Sequence, residues 1–100
     1  MSDQHELARR TPKFDPGQIL ATPGAIVAIE FARASAVELL RRHLSGDWGD
    51  LDDADKRLND EALTSGDRIL SAYTLADCQT VWIITEADRS ATTILTPDEY

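Results

Sequence analysis

RILSAYTLADCQTVWIITEADRSATTILT, residues 68–96, holds three runs rich in β-branched and aromatic side chains. They cover 68–75, 81–85 and 92–96, and that composition favours a pleated, half-buried surface over a helix. The joins, 76–80 and 86–91, are short enough for hairpins. The spacing therefore predicts a three-stranded antiparallel β-meander. Pro97 ends the last run. It cannot donate to a ladder, so the last strand is expected at a sheet edge.

Upstream of the meander the period changes to that of a helix. Thr22-Pro23 is a start signal, because threonine caps and proline at the first helical position loses only an N–H that has no partner there. Ile26, Val27, Ile29 and Phe31 cover a wide arc of the helix that follows, to about residue 34, so it is expected to be largely buried. Ser35 and Glu38 stand at capping-box spacing and open a second helix to about Leu44, with Val37, Leu40 and Leu44 on one face. Gly46 ends it in the left-handed conformation. A third helix, about 52–64, is capped by Asp50 or Asp52, turns Leu51, Ala54, Leu58 and Ala62 inward, and stops at Ser65-Gly66. Ile19 and Leu20 read as the lead-in to the first helix, and residues 1–18 as a flexible N-terminal arm that Phe14 tacks to the body. The expectation is a single α+β domain over 19–100, with about three helices followed by the meander and packed on one sheet face.

The third helix and the loop before it carry the densest charge. Seven carboxylates lie between Asp47 and Glu61, against Lys56 and Arg57 only. Part of this is ordinary helix chemistry. Carboxylates are favoured at a helix N-terminus, and Asp52–Lys56 and Asp53–Arg57 have the favourable order for pairs four apart. The remainder suggests a surface for a positive partner. The candidate contact residues are Asp47, Trp48, Asp50, Asp52, Asp53, Asp55, Asp60 and Glu61. Trp48 reads more readily as cover for a core edge than as an interface anchor. An EF-hand fails on spacing from either Asp47 or Asp50, so no metal is expected.

The whole chain has 100 residues and a formal charge of −8, which disfavours direct contact with nucleic-acid phosphate or an anionic membrane. The expected partner is a protein with a basic surface. Cys78 is the single cysteine, so no internal disulfide can form. No apolar run is long enough for a signal peptide or a membrane span, and a cytoplasmic protein is expected. The sequence has no nucleotide-binding, zinc-hydrolase or serine-hydrolase motif, and no cofactor is expected. Glu86, Asp88 and Arg89 at one hairpin tip, with His43, are the alternative as a minimal hydrolase or nuclease. Their plainer reading is an Asx turn at Asp88, a Glu86–Arg89 pair, and a cationic His43 at a helix C-terminus.

FDPGQILATPGA, SGDWGDLDDADKRLNDEAL and VWIITEADRSATTILTPDEY, in that order, resemble a group of small plasmid-related proteins of bacterial mobile elements, some of them labelled type I restriction modification subunits. The resemblance spans about residues 14–100. It brings no catalytic residues. It implies a gene carried on mobile DNA, and hence either an anti-defence inhibitor, anti-CRISPR or anti-restriction, whose carboxylates imitate phosphates in a basic groove, or a structural or regulatory subunit of a plasmid maintenance system.

Overall fold

A computed structural model describes residues 12–100. The elements run β1 (Gln18–Ala21), α1 (Pro23–Phe31), α2 (Ala36–Leu44), α3 (Asp53–Ser65), β2 (Ile69–Thr74), β3 (Thr80–Thr85) and β4 (Ala91–Leu95), then one 3-10 turn, Pro97–Glu99. The α+β class and the three helices are as expected. The sheet is not the expected three-stranded one. It has four strands in the order β1-β4-β3-β2, antiparallel except that β1 runs parallel to β4. Ile19 and Leu20 therefore form a strand, not a helix lead-in. β4 lies inside the sheet, so Pro97 marks no edge; it sits in the 3-10 turn instead.

Thr22 Oγ1 accepts from Ala25 N and Ser35 Oγ from Glu38 N, as the two start signals require. Gly46 and Gly66 both take positive φ at the helix ends. The inward faces differ from the sequence expectation. In α1 the buried residues are Ala25, Ala28 and Ile29, while Val27 and Phe31 are 64% and 73% exposed. The small residues let the helix approach the sheet closely and turn the large ones outward. In α2 the buried pair is Leu39 and His43, four apart, rather than the Val37 face. In α3 Asn59 and Ala62 point inward, whereas Ala54 and Leu58 are exposed.

The sheet turns Ile69, Ser71, Tyr73, Val81, Ile83, Thr85, Thr92 and Ile94 toward the helices, all of them buried. α1 and α2 pack on Tyr73, Val81, Ile83 and Ile94, and α3 brings Ala62 to Ile69 and Trp48. Trp82 lies on the opposite sheet face, with the Tyr100 ring edge-on at 5.6 Å.

Residues 1–11 of the expected arm lie outside the described residues. Residues 13–18 are docked. Lys13 N donates to Leu44 O, and Gln18 N donates to Ser90 O. Phe14 packs against His43 and Trp48, with ring centroids at 5.3 and 6.3 Å.

Candidate functional site

Four of the seven mid-chain carboxylates have structural partners. Arg42 Nε donates to Asp47 Oδ2 at 2.7 Å, and this bond above all holds the Asp47 carboxyl below the usual range. The same guanidinium lies over the Tyr73 ring, 4.5 Å from its centroid, and Tyr73 Oη donates to Asp47 O at 2.6 Å. Burial pushes the Tyr73 phenol up to about 12. Asp52 caps α3, accepting from Asp55 N at 2.8 Å. Asp60 Oδ1 accepts from Trp48 Nε1 at 2.9 Å. Trp48 itself is only 4% exposed. Its ring is core, so it leaves the set of surface contacts.

Asp50 belongs to a seal along β2. The outer edge of that strand would otherwise present a row of unpaired backbone groups, a template for unwanted pairing. Instead, Ala72 N donates to Trp48 O at 3.2 Å and Ala72 O accepts from Asp50 N at 2.7 Å. Asp50 Oδ2 accepts from Thr74 N at 2.8 Å. Asn59, on α3, donates through Nδ2 to Leu70 O at 2.7 Å and accepts through Oδ1 from Leu70 N at 3.2 Å. Residues 70, 72 and 74 are thus served in turn by a side-chain amide, a loop backbone and a carboxylate. Asn59 carries no charge and lies outside any sequence motif. An asparagine among the apolar positions of a helix is its only trace in the sequence.

Asp53, Asp55 and Glu61 remain. Their carboxylates have no hydrogen bond or ion pair among the described residues, and the expected Asp52–Lys56 and Asp53–Arg57 pairs do not form there. Helical geometry, about 100° per residue, puts Asp53 and Asp60 within about 20° of each other and Asp55 more than about 120° away. Glu61 lies about 80° from Asp53 and about 120° from Asp55, so these three carboxylates spread over about 200° of the circumference of α3. Between α3 and β2 lies a groove of about 280 Å³ lined by Leu51, Leu58, Asn59 and Leu70, with Asp55 and Arg68 also on its wall.

Family models, curated proteins and solved structures were compared with the chain, and none matches.

The residues of the enzymatic alternative do not converge. Asp88 accepts from Ser90 N at 2.9 Å in an Asx turn, and its bonds to Ser90 hold its carboxyl below the usual range. Glu86 pairs with Arg68 at 3.5 Å, not with Arg89. Arg89, at φ 61°, gives Nη1 to the carbonyls of Asp67, Glu86 and Ala87 and Nη2 to Ala62 O at the end of α3. Its guanidinium ties a hairpin to a helix C-terminus. Arg89→Ala is expected to lower stability by about 2–3 kcal/mol, in the range of hydrogen bonds to charged groups. Arg89→Lys should recover only part, because an ammonium lacks the planar fork. Urea unfolding of the two variants checks this.

His43 is not the expected cationic cap. It is fully buried, and burial pushes its pKa down to about 3. Its two nitrogens lie 2.6 Å from Ser71 Oγ and 2.9 Å from Thr85 Oγ1. Thr85 Oγ1 is 2.7 Å from Thr92 Oγ1, which donates to Pro16 O at 2.7 Å. A carbonyl can only accept, so the direction of the whole chain follows. Thr92 spends its proton on Pro16, Thr85 donates to Thr92, and His43 donates through Nε2 to Thr85. His43 Nδ1 then accepts from Ser71. Both ring nitrogens are committed and dry, which suits a structural tie rather than a general base. Ser71, Thr85 and Thr92 belong to no motif in the sequence. Each is a hydroxyl on the inner face of an apolar strand, and only the register brings them together.

No group of three or more metal-ligating side chains occurs among the described residues, and no described helix is long and apolar enough to cross a membrane.

Proposed function

We propose that this chain acts by stoichiometric binding, as a small acidic interaction protein of a mobile element that inhibits a defence complex, of CRISPR or restriction type, by occupying a basic nucleic-acid-binding surface. The observation that carries the reading is that Asp53, Asp55 and Glu61, exposed on α3, have no partner among the described residues. Lysine and arginine of a partner groove would find carboxylates there with no competing partner among the described residues. The proposed contact set narrows to Asp53, Asp55 and Glu61. Asp47 is neutralised by Arg42, Asp50 and Asp52 are engaged by backbone N–H groups, Asp60 by the Trp48 indole N–H, and Trp48 is buried. The leucine-lined groove beside Asp55 gives that side of α3 an apolar component. The resemblance to plasmid-related proteins supplies the mobile-element context.

The test compares the natural chain with D53K/E61K and with D55K as immobilised bait for the defence complexes of a host carrying them. A retained complex that DNA displaces, that elutes with moderate salt, and that both variants fail to hold supports the reading. Retention unchanged by both variants, or no retention of such a complex, contradicts it.

A further inference from the structure

The two sheet edges are treated differently. β2 is sealed along its length by Asn59, the 48–50 loop and Asp50, whereas the outer edge of β1 meets no partner among the described residues. Gln18 N donates to Ser90 O and Thr22 N to Ile94 O. In a parallel ladder alternate residues face the partner strand, so residues 18, 20 and 22 spend their backbone groups on β4. Those of Ile19 and Ala21 point away from the sheet, with no partner among the described residues. All four residues of β1 are exposed, Ile19 at 50% and Leu20 at 42%. None of the usual guards, a charge, a proline or a bulge, stands on the strand.

We infer that β1 is a self-pairing edge, through which two copies of this chain join their sheets into one across a two-fold axis. This goes beyond the acidic surface of α3 and does not depend on it. The occupant is set by two features. First, Gln18–Ala21 is uncharged in a chain of net charge −8, so two copies can approach along it with less repulsion than their acidic surfaces would impose. A basic partner would gain nothing from charge there. Second, the pattern is self-complementary. An antiparallel pair centred on Leu20 sets Ile19 opposite Ala21 of the second copy, twice by symmetry, and each such pair exchanges two N–H···O bonds. All four open N–H groups and all four open carbonyls of two β1 strands are then used. Leu20 meets its own copy at the close, non-hydrogen-bonded position, where side chains contact most tightly. The interface is isologous, as a closed dimer requires.

Sedimentation equilibrium on the full chain across micromolar concentrations tests this, together with amide exchange. The expected mass rises from one chain to two with concentration, and the Ile19 and Ala21 amides slow in step. Leu20→Lys sets like charges face to face, and Ile19→Pro removes an outward donor without touching the β1–β4 ladder. Both are expected to remain monomeric with an unchanged far-UV spectrum, while Leu58→Lys on α3 leaves the dimer intact. A natural chain that stays monomeric throughout, or a dimer in which the Ile19 and Ala21 amides exchange as fast as in the dilute monomer, overturns the inference without reference to any variant. A dimer that survives both β1 variants overturns it as well.

Discussion

His43→Leu is expected to destabilise the protein by about 2–5 kcal/mol, a large part of the 5–15 kcal/mol that holds a domain together. Leucine keeps most of the volume between Phe14 and Trp48, so the loss is one of hydrogen bonding more than packing. It leaves the Ser71 hydroxyl without an acceptor and Thr85 without a donor, both fully buried. Each stranded group costs its desolvation, about 1–3 kcal/mol. The midpoint of thermal unfolding should fall on the order of 15 °C. The relay also anchors Pro16, so backbone amides of residues 13–18 should exchange faster than the global change alone explains.

The same substitution should alter the pH profile, which lost packing would not do. In the folded chain His43 is held neutral down to about pH 3, while the unfolded chain protonates it below about 6.5. Between those values the unfolded state binds one more proton, so stability is complete above about pH 6.5 and drains away as the pH falls toward 3. The slope is about 1.4 kcal/mol per pH unit, or about 2–3 kcal/mol lost by pH 4.5. Asp47, held low by Arg42, and Glu99, held at about 2 mainly by Thr22, act in the same direction further into the acid range. In His43→Leu the stretch from pH 6.5 to 4.5 should flatten. A wild-type slope that persists in the variant would show that His43 is not its source.

Gly49→Ala is the second large effect. Gly49 has φ +79°, and a Cβ there would stand 2.0 Å from Ala72 O and 2.7 Å from Tyr73 Cδ1. The first neighbour is the backbone of β2 and cannot swing aside. The loop must lift, which breaks the two bonds between residues 48–50 and Ala72 and strains a left-handed alanine. Together these cost about 3–5 kcal/mol. Gly66→Ala provides the contrast. Its φ of +82° is equally left-handed, yet nothing lies within 4 Å of the new Cβ, so about 1 kcal/mol is expected. Comparable losses for the two would mean that the 48–50 loop does not press on β2. Amide exchange at Thr74 should rise in Gly49→Ala alone.

The local signals in the sequence were good guides to local structure. Thr22-Pro23, Ser35 with Glu38, Asp52, Gly46 and Gly66 all start or stop helices where they were read. The β-branched runs are the strands of the meander. What could not be read depends on partners distant in the chain. Four residues, Gln18–Ala21, become a strand only because β4, some seventy positions later, lies beside them. For the inward faces of α1 and α2, side-chain size points to Phe31 and Val37, while close approach to the sheet selects Ala25, Ala28 and Leu39. The acidic segment shows both sides. Its charge density is plain in the sequence. That Asp50 closes a sheet edge and Asp60 holds a tryptophan, while Asp53 and Glu61 meet no partner among the described residues, follows only from the packing of α3 beside β2.

That division of the acidic segment is the claim on which the functional reading rests, and urea unfolding of two double variants tests it. D50A/D60A, which opens the β2 edge and strands the Trp48 indole N–H, is expected to lose about 2–4 kcal/mol. D53A/E61A is expected to lose less than about 1 kcal/mol, the share due to the helix dipole at Asp53. Equal losses in the two, or a larger loss in D53A/E61A, would mean that the free carboxylates are structural after all and would leave α3 without a surface to offer a partner.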